Sequence, residues 1–344
     1  MKVLLLSKFS HLELVDFPDL VPAEDEVLIR VRACGICGSD IHGWDGSTGR
    51  RNPPLIMGHE ASGEIVSTGS GVSGWKAGDR VTFDSTIYCG KCESCRRGAV
   101  NLCTDRRVIG VAPAEYRQHG AFAELLAVPA RVLYRLPDGL TYERAAMVEP
   151  VSIALHALSR VAIEPSQSAV VVGSGMIGML VIQALRSAGV QRVIAVDLDE
   201  ERLALAQKLG ATDAVVSRGA DVVDRIRERT GAAGADISFE VVGITPTVAI
   251  AINCLRLGGS TVLVGNLSPQ VEMPLQAVVT RELSVRGSCS SAGEYPHALE
   301  LIASGAIKVD PMISATAPLD SGAAWFHKLS ARDGSKYMKV LLQP

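Results

Sequence analysis

The chain has 344 residues, of which 47% are hydrophobic and 21% charged, and its formal net charge is −3. Its length favours two domains, and its composition is that of a well-packed globular protein rather than a disordered one. The weakly acidic balance and the aromatic content of 4% argue against a nucleic-acid-binding surface and against attachment to an anionic membrane.

The expected cellular location depends on whether the sequence shows a secretory signal or a membrane-spanning run. The opening apolar run is shorter than a secretory signal requires, and no run reaches membrane-spanning length, so we expect a cytoplasmic protein. Disulfides are rare in that compartment. The eight cysteines are therefore interpreted as metal ligands, reactive thiols or core residues.

The first 150 residues are predicted to form a β-rich domain. In "EVLIRVRA", Val27, Ile29 and Val31 alternate with residues of the other face, which indicates a half-buried strand. Two more strand-like runs lie around the glycine-rich turns of residues 63–83, and the pattern continues through 121–137. Short strands with frequent turns favour a small barrel or sandwich.

The pattern changes near residue 165, where strands begin to alternate with helices. Val170–Val172 predict a buried strand, and Ile177 to Ala188 have helical spacing that ends at Gly189. Further strand-like segments are 192–197, 235–243 and 258–266, with a helical segment at 246–258. This alternation predicts a parallel sheet with helical crossovers. After residue 290 the chain has a helix-like segment and a final strand-like one.

A glycine-rich turn follows the first of these strands. Residues 173–178 read G-S-G-M-I-G, between a strand and a helix, which is the context of a dinucleotide-binding turn. Gly173 permits the tight turn, Gly175 lets the backbone approach a pyrophosphate, and Gly178 allows close helix–strand packing. The N-terminus of the helix would then bind the phosphates.

An acidic residue at the end of the next strand favours NAD over NADP. Asp197 has the position that binds the adenosine ribose hydroxyls, and no Arg or Lys follows it before Arg202. Asp199 is interpreted as a cap of the next helix. The candidate cofactor-binding residues are Gly173, Gly175, Met176, Ile177, Gly178, Asp197, Arg202, Val242 and Gly265.

Four cysteines stand close together in one short loop, with the spacing C-x2-C-x2-C-x7-C. They are Cys89, Cys92, Cys95 and Cys103. Four thiolates satisfy Zn²⁺ in a closed, structural site. An iron–sulfur cluster is an alternative, but the domain shows no other sign of electron transfer. A nucleic-acid-binding zinc module is a second alternative.

A second group of possible ligands is dispersed along the chain. The stretch "ACGICGSDIHGW" contains the C-x-x-C pair of Cys34 and Cys37, "GHEASG" places His59 beside Glu60, and Glu149 precedes a proline. One thiolate, one imidazole and one carboxylate would give zinc three protein ligands and leave a position open for water or substrate. Spacing alone does not show that these residues meet.

The combination of motifs resembles a known family. "CGICGSDIH", "GHEASGEIV", the cysteine quartet, "VEPVSIALHA", "GSGMIG" and "VDLD" together resemble the zinc-dependent medium-chain dehydrogenase/reductase superfamily. The polyol (sorbitol) dehydrogenase branch is the most similar. The resemblance implies an α/β two-domain fold with a GroES-like catalytic domain at residues 1–154 and 290–344. A Rossmann domain at 155–289 is inserted between them, and the active site lies in the cleft between the two.

The resemblance also assigns the site residues. Cys37, His59 and Glu60 match the catalytic zinc ligands, and Glu149 matches a glutamate that binds the metal directly or through water. Cys34 does not match a ligand. Ser39 and His42 match a proton relay to solvent, so the implied catalytic residues are Cys37, Ser39, His42, His59, Glu60 and Glu149. Two zinc ions per chain, one catalytic and one structural, and NAD are the implied cofactors.

The expected function is zinc-dependent hydride transfer from a secondary alcohol of a polyol or sugar-derived substrate to NAD⁺, giving a ketone. Alternatives are a dehydrogenase for a vicinal diol, threonine or a sugar-alcohol phosphate, and, more distantly, a non-catalytic nucleotide-binding protein. By this resemblance, Ser290 and Ser291 stand where simple polyol dehydrogenases have a polyol-binding Arg-Tyr, which argues against sorbitol itself as the substrate. Arg50 and Arg51 are interpreted either as solvated loop charges or as ligands of an acidic substrate group.

Partners are expected to be a small alcohol or sugar substrate and further copies of the chain. Relatives of this type form dimers or tetramers through edge strands of the Rossmann domain, and 260–266 and 282–288 are the candidate segments. The isolated Cys254 and Cys289 are expected to be buried apolar residues.

Overall fold

A computed structural model describes residues 1–112, 117–331, 334 and 336–344. The chain divides into two compact units. Unit 1 contains residues 1–149, 295–303 and 309–344, and unit 2 contains residues 150–294 and 304–308. The domain boundaries expected from the resemblance, after residues 154 and 289, stay a prediction.

The secondary structure is numbered along the chain. The strands are β1 (Lys2–Lys8), β2 (His11–Asp16), β3 (Glu26–Ile36), β4 (Leu55–Ile56), β5 (Glu60–Thr68), β6 (Arg80–Phe83), β7 (Thr86–Ile87), β8 (Arg107–Val108), β9 (Leu125–Pro129), β10 (Leu133–Arg135), β11 (Ser168–Val172), β12 (Arg192–Asp197), β13 (Asp213–Val216), β14 (Ala235–Glu240), β15 (Leu255–Leu263), β16 (Ser284–Gly287), β17 (Ile313–Pro318) and β18 (Lys339–Gln343). The α-helices are α1 (Gly38–Ile41), α2 (Glu93–Arg96), α3 (Tyr142–Ala146), α4 (Val148–Ser159), α5 (Met176–Ser187), α6 (Glu200–Lys208), α7 (Val222–Arg229), α8 (Thr245–Asn253), α9 (Leu275–Thr280), α10 (Tyr295–Ala303) and α11 (Gly322–Ser330).

Unit 1 is built on a seven-stranded sheet with β3 near its centre. The strand order is β10-β6-β5-β3-β18-β17, and β9 also pairs with β3. The alternation predicted for β3 is confirmed from Ile29 onward: Val27, Ile29 and Val31 are at most 1% exposed, and Arg30 and Arg32 are exposed, whereas Leu28 on the other face is buried at 7%. Strand β3 pairs with both β5 and β18, so it connects segments that lie far apart in the sequence.

Unit 2 contains a six-stranded sheet in the order β13-β12-β11-β14-β15-β16. Every neighbouring pair in this sheet is parallel, which confirms the predicted parallel sheet with helical crossovers. The order is that of a doubly wound dinucleotide-binding fold. Because the strands are parallel, the loops that follow them all lie at the carboxyl-terminal end of the sheet.

Two local predictions in unit 2 are wrong. The helix expected to extend to residue 258 ends at Asn253, because Leu255 already begins β15 and pairs with Ala235. Cys289 is exposed rather than buried, since it follows the sheet's edge strand β16, whereas Cys254 is buried as expected.

Candidate functional site

Strand register brings three of the predicted ligands together in unit 1. Cys37 follows the end of β3, and Glu60 is the first residue of β5, directly opposite Gly35 of β3. His59 immediately precedes Glu60. The ligand atoms of Cys37, His59 and Glu60 lie within 4.8 Å of one another. His59 and Glu60 are buried, at 7% and 1% exposed.

A buried lysine, which sequence reasoning missed, lies behind this cluster. Lys339 begins β18, whose next residue pairs with Ile36 of β3, and it is only 3% exposed. Its ammonium group donates hydrogen bonds to Glu60 Oε2 and, at 3.3 Å, to the carbonyl of Ile36. Although burial opposes a charge here, Glu60 raises the pKa of Lys339 above its usual value. Lys339 therefore compensates the Glu60 carboxylate.

A buried aspartate lies beside both His59 and Cys37. Asp40 is fully buried in α1, and its Oδ1 lies 3.5 Å from Nδ1 of His59. Its Oδ2 accepts a hydrogen bond of 3.2 Å from the backbone N–H of Cys37. His59 Nδ1 is buried and has no hydrogen-bond partner among the described residues, so the Asp40 carboxylate acts on this imidazole through its nearby charge. The only sequence signal for this role was the position of Asp40 between Cys37 and His42.

Glu149 lies outside the three-residue cluster but is coupled to it electrostatically. It is in the first turn of α4. Burial raises its pKa to about 8; the charges of Glu60 and Cys37 act in the same direction, whereas His59 and Lys339 oppose the shift. Burial likewise raises the pKa of Cys37 to about 12. Ionised acids in such a site need a nearby cation.

A divalent metal ion fits this donor set. If Cys37, Glu60 and Glu149 are ionised, their three negative charges exceed the single positive charge of Lys339 by two, which one Zn²⁺ would neutralise. Thiolate, imidazole and carboxylate are also the ligand types that catalytic zinc takes in proteins.

The predicted relay residues flank the cluster. Ser39 and His42 are both exposed, and the N–H of Ser39 donates to Sγ of Cys37 at 3.5 Å. Arg51 is neither a solvated loop charge nor free for a substrate anion, because it is 3% exposed and forms an ion pair of 2.9 Å with Asp40. Arg50 is exposed.

The cysteine quartet forms a second possible metal site in unit 1. The sulfur atoms of Cys89, Cys92, Cys95 and Cys103 lie within 4.8 Å of one another. The Cys92–Cys95 and Cys89–Cys95 sulfur distances are 3.5 and 4.0 Å. A tetrahedral zinc with Zn–S bonds of ~2.3 Å places its sulfurs ~3.8 Å apart, so the arrangement fits. Backbone N–H groups donate to Cys89 and Cys103 at 3.3 Å.

The glycine turn in unit 2 has the geometry expected of a phosphate-binding turn. Gly173 follows β11 with φ of +103°, and a Cβ on it would lie 2.6 Å from the Val242 side chain. A Cβ on Gly178 would lie 1.9 Å from the carbonyl oxygen of Gly173. Gly175 is the N-cap of α5, which begins at Met176 and continues through Ile177, so the helix N-terminus faces the turn.

Asp197 ends β12 beside this turn. Its carboxylate accepts hydrogen bonds from the N–H groups of Ser174 at 2.6 Å and Asp199 at 3.0 Å. Asp199 caps α6 as predicted, accepting from the N–H of Arg202 at 3.3 Å. Arg218, which sequence reasoning did not consider, donates to the carbonyl of Leu198 at 3.1 Å.

Val242 and Gly265 lie in the loops after β14 and β15, at the same carboxyl-terminal end of the sheet. A Cβ on Gly265 would lie 2.3 Å from the backbone of Val242, so the two loops touch. Glu240, a fully buried residue that sequence reasoning missed, accepts from the N–H groups of Val242 and Gly243 at 2.9 and 2.7 Å. The predicted cofactor residues in these loops therefore lie together at the carboxyl ends of the unit 2 strands.

The two serines in the family's Arg-Tyr positions also lie in unit 2. Ser290 has a positive φ of 55°, and Ser291 is 3% exposed. Their correspondence to the Arg-Tyr pair of similar polyol dehydrogenases stays a prediction.

Comparisons with known proteins cover both units. Residues 23–138 match the family described as "Alcohol dehydrogenase GroES-like domain", and residues 177–304 match "Zinc-binding dehydrogenase". Sorbitol dehydrogenase of Bacillus subtilis (strain 168) is 34% identical over 308 residues, which is 88% of this chain and 85% of that protein. D-xylulose reductase A of Aspergillus oryzae is 36% identical over 327 residues, 93% of this chain and 90% of that protein.

A solved structure agrees in fold over the whole chain. A protein of Sinorhizobium meliloti 1021, described as a zinc-binding dehydrogenase bound to NADP, superposes with a TM-score of 0.91 at 32% sequence identity. The match covers 100% of this chain and 99% of that one.

Proposed function

The chain belongs to the zinc-binding dehydrogenases with an alcohol dehydrogenase GroES-like domain, and from this premise we propose that it oxidises a secondary alcohol of a polyol or sugar-derived substrate to a ketone, with NAD⁺ as the acceptor. The observation that carries the proposal is the cluster of Cys37, His59 and Glu60. The similarity to a sorbitol dehydrogenase and a D-xylulose reductase supports the polyol class.

Zinc and a nicotinamide dinucleotide are the cofactors of this family. In the proposed site, Cys37, His59 and Glu60 would hold the catalytic zinc, and Glu149 would bind it directly or through water. When bound, zinc acts as a Lewis acid toward the substrate hydroxyl, and the nicotinamide accepts the hydride. Lys339 forms a buried ion pair with Glu60 and so provides a counter-charge for its carboxylate.

The proton released from the substrate hydroxyl is proposed to leave through Ser39 and His42. Ser39 is exposed two residues after the ligand Cys37, which suits a group that meets the substrate. His42 is exposed at the end of α1, which suits a group that passes the proton to solvent.

The cofactor is proposed to be NAD rather than NADP. Gly173, Gly175 and Gly178 would bind the pyrophosphate with the N-terminus of α5. The carboxylate of Asp197 would accept hydrogen bonds from the ribose hydroxyls and repel a 2′-phosphate. The cysteine quartet would hold the structural zinc, so that each chain carries two zinc ions.

We further propose a cytoplasmic homodimer or homotetramer. Within the described residues, no helix is long and apolar enough to cross a membrane. Strand β16 forms one edge of the unit 2 sheet, which supports the edge strands as the contact between copies.

The proposal is tested by NADH formation with zinc-loaded protein and a panel of free polyols, vicinal diols, threonine and sugar-alcohol phosphates. We expect turnover with free polyols and NAD⁺, and little with NADP⁺. The variant Ser39→Ala should lose turnover while retaining its zinc. If no alcohol is oxidised by protein in which both zinc sites are filled, the proposed function is wrong.

A further inference from the structure

Arg51 makes contacts in unit 1 that no role assigned above explains. Its side chain is 3% exposed and donates to Oδ1 of Asp40 from Nε at 3.1 Å and from Nη2 at 2.9 Å. Nη2 also donates to the hydroxyl oxygen of Ser39 at 3.1 Å. Nη1 lies 3.5 Å from the carbonyl oxygen of Arg50. One buried guanidinium therefore connects the carboxylate beside His59 with the hydroxyl of Ser39.

The surrounding chain holds Arg51 in this position. A Cβ on Gly43 would lie 2.7 Å from Cγ of Arg51, so the glycine leaves space for the arginine side chain. The backbone on either side of Arg51 is bonded to Ala112. The N–H of Ala112 donates to the carbonyl of Arg50 at 3.1 Å, and the N–H of Asn52 donates to the carbonyl of Ala112 at 3.3 Å. Both the backbone and the side chain are thus fixed.

We propose that Arg51 is a positioning residue that sets the direction of proton transfer through Ser39. The proposal rests on the proposed function, in which Ser39 accepts the substrate proton. A serine hydroxyl has one donor and two acceptor sites, whereas a guanidinium has donors only. Arg51 therefore occupies one acceptor site of Ser39 and cannot receive its proton.

The two remaining positions of the Ser39 hydroxyl define the path. One acceptor site stays open toward the substrate hydroxyl, and the O–H must point to a different acceptor, on the route to His42. As the substrate proton binds to Oγ, the original Ser39 proton leaves along that route, so Ser39 ends neutral and one proton reaches solvent. Without Arg51 the hydroxyl could rotate freely, and fewer orientations would be productive.

Lysine is the informative replacement. Arg51→Lys keeps the charge opposite Asp40 but loses the planar fork that reaches the carboxylate and the hydroxyl together. A merely structural counter-charge would tolerate this change. Arg50→Lys is the matched control, because Arg50 is the adjacent, exposed arginine.

The experiment compares Arg51→Lys, Ser39→Ala and the double variant in zinc-loaded enzyme, with a free polyol and NAD⁺. It measures kcat, KM, the solvent deuterium isotope effect on kcat, and the zinc content. We expect Arg51→Lys to lower kcat ~10-fold or more, within the range of acid–base contributions. KM and zinc content should change little, and the isotope effect should rise. In the Ser39→Ala background the same change should have no further effect on kcat, and Arg50→Lys should behave as the wild type.

Three results would overturn the proposal. One is an unchanged kcat in Arg51→Lys, and another is an equal loss of kcat in the presence and absence of the Ser39 hydroxyl. In both cases an active wild type leaves the proposed function intact. The third is an inactive wild type with both zinc sites filled, which refutes the proposed function and this role of Arg51 with it.

Discussion

Removal of the Lys339 ammonium group should destabilise unit 1 strongly, because Lys339 is the buried counter-charge of Glu60. The two side chains are 3% and 1% exposed. Two unit charges at an ordinary ion-pair separation of ~3 Å and an effective dielectric constant of ~20 attract each other by about 5 kcal/mol. Loss of one partner of a buried ion pair costs about 3–5 kcal/mol, since the other charge stays buried and unpaired. We expect Lys339→Met to lower the free energy of unfolding of unit 1 by that amount.

A double-mutant cycle isolates the charge effect. In Glu60→Gln the carboxylate is already neutral, so Lys339→Met should then cost only about 1–2 kcal/mol, from the lost hydrogen bond to the Ile36 carbonyl. The exposed pair of Lys2 and Asp16 provides the control, because its side chains are 48% and 82% exposed. Lys2→Met should cost at most about 1 kcal/mol.

Tryptophan fluorescence during urea unfolding is a suitable assay. The chain has three tryptophans, Trp44, Trp75 and Trp325, and all of them belong to unit 1. Their signal therefore reports the unit that contains Lys339, even if the two units unfold separately. The measurement should be made on zinc-loaded and chelator-treated protein. Zinc gives Glu60 a second counter-charge, so the cost of Lys339→Met should be smaller when zinc is bound. A cost that is the same in the Glu60→Gln background would refute charge compensation.

Three further predictions concern single residues. A Cβ on Gly35 would lie 2.1 Å from Oε2 of Glu60, so Gly35→Ala should displace that carboxylate. The measured zinc content should then fall from two ions toward one ion per chain. Gly38→Ala is the control and should retain both ions, because a Cβ on Gly38 meets nothing within 4 Å. Cys92→Ser should lose the zinc ion of the cysteine quartet, because three sulfurs no longer complete the four-coordinate site. The loop of residues 89–103 should then become sensitive to protease. A variant that still binds two zinc ions per chain would contradict this prediction. In unit 2, burial alone would raise the pKa of Asp236, but hydrogen bonds from neighbouring serine and arginine groups lower it overall. Its contribution to stability is therefore present above the unfolded pKa of about 3.8 and is lost as the pH falls through the lower folded value. Asp236→Asn should lower the free energy of unfolding of unit 2 at neutral pH, and its difference from the wild type should become smaller below pH ~4. Hydrogen exchange of the β11 amides at several pH values would measure this difference. A difference that does not change with pH would contradict the prediction.

The features that sequence reasoning predicted well are local in the chain. The cysteine quartet spans 15 residues, and the glycine turn lies between one strand and one helix, so spacing and periodicity are sufficient to identify them. The alternation of β3 and the parallel sheet of unit 2 follow from the same short-range patterns.

The features that residue spacing alone could not show depend on strand register. Cys37 meets Glu60 because Gly35 pairs with Glu60, and Lys339 reaches the site because β18 pairs with β3 from the far end of the chain. A lysine in "KYMKVLLQ" has no local property that indicates burial. The interpretation of Arg51 as a loop charge failed for the same reason, since only the fold reveals that Asp40 lies within its reach.

The two buried cations beside the cluster bear on the substrate. Lys339 is committed to Glu60, and the guanidinium of Arg51 donates to Asp40 and Ser39. Neither can pair with a phosphate or carboxylate of a substrate without giving up a buried anion, which is costly. Arg50 and Arg51 were both interpreted as possible ligands of an acidic substrate group. The donors of Arg51 are already used by Asp40 and Ser39, so only the exposed Arg50 is left for that role. A neutral polyol requires no such counter-charge, because hydroxyl groups can bind to exposed hydroxyls such as that of Ser39. The arrangement of charge in unit 1 therefore supports the free polyol as the substrate class.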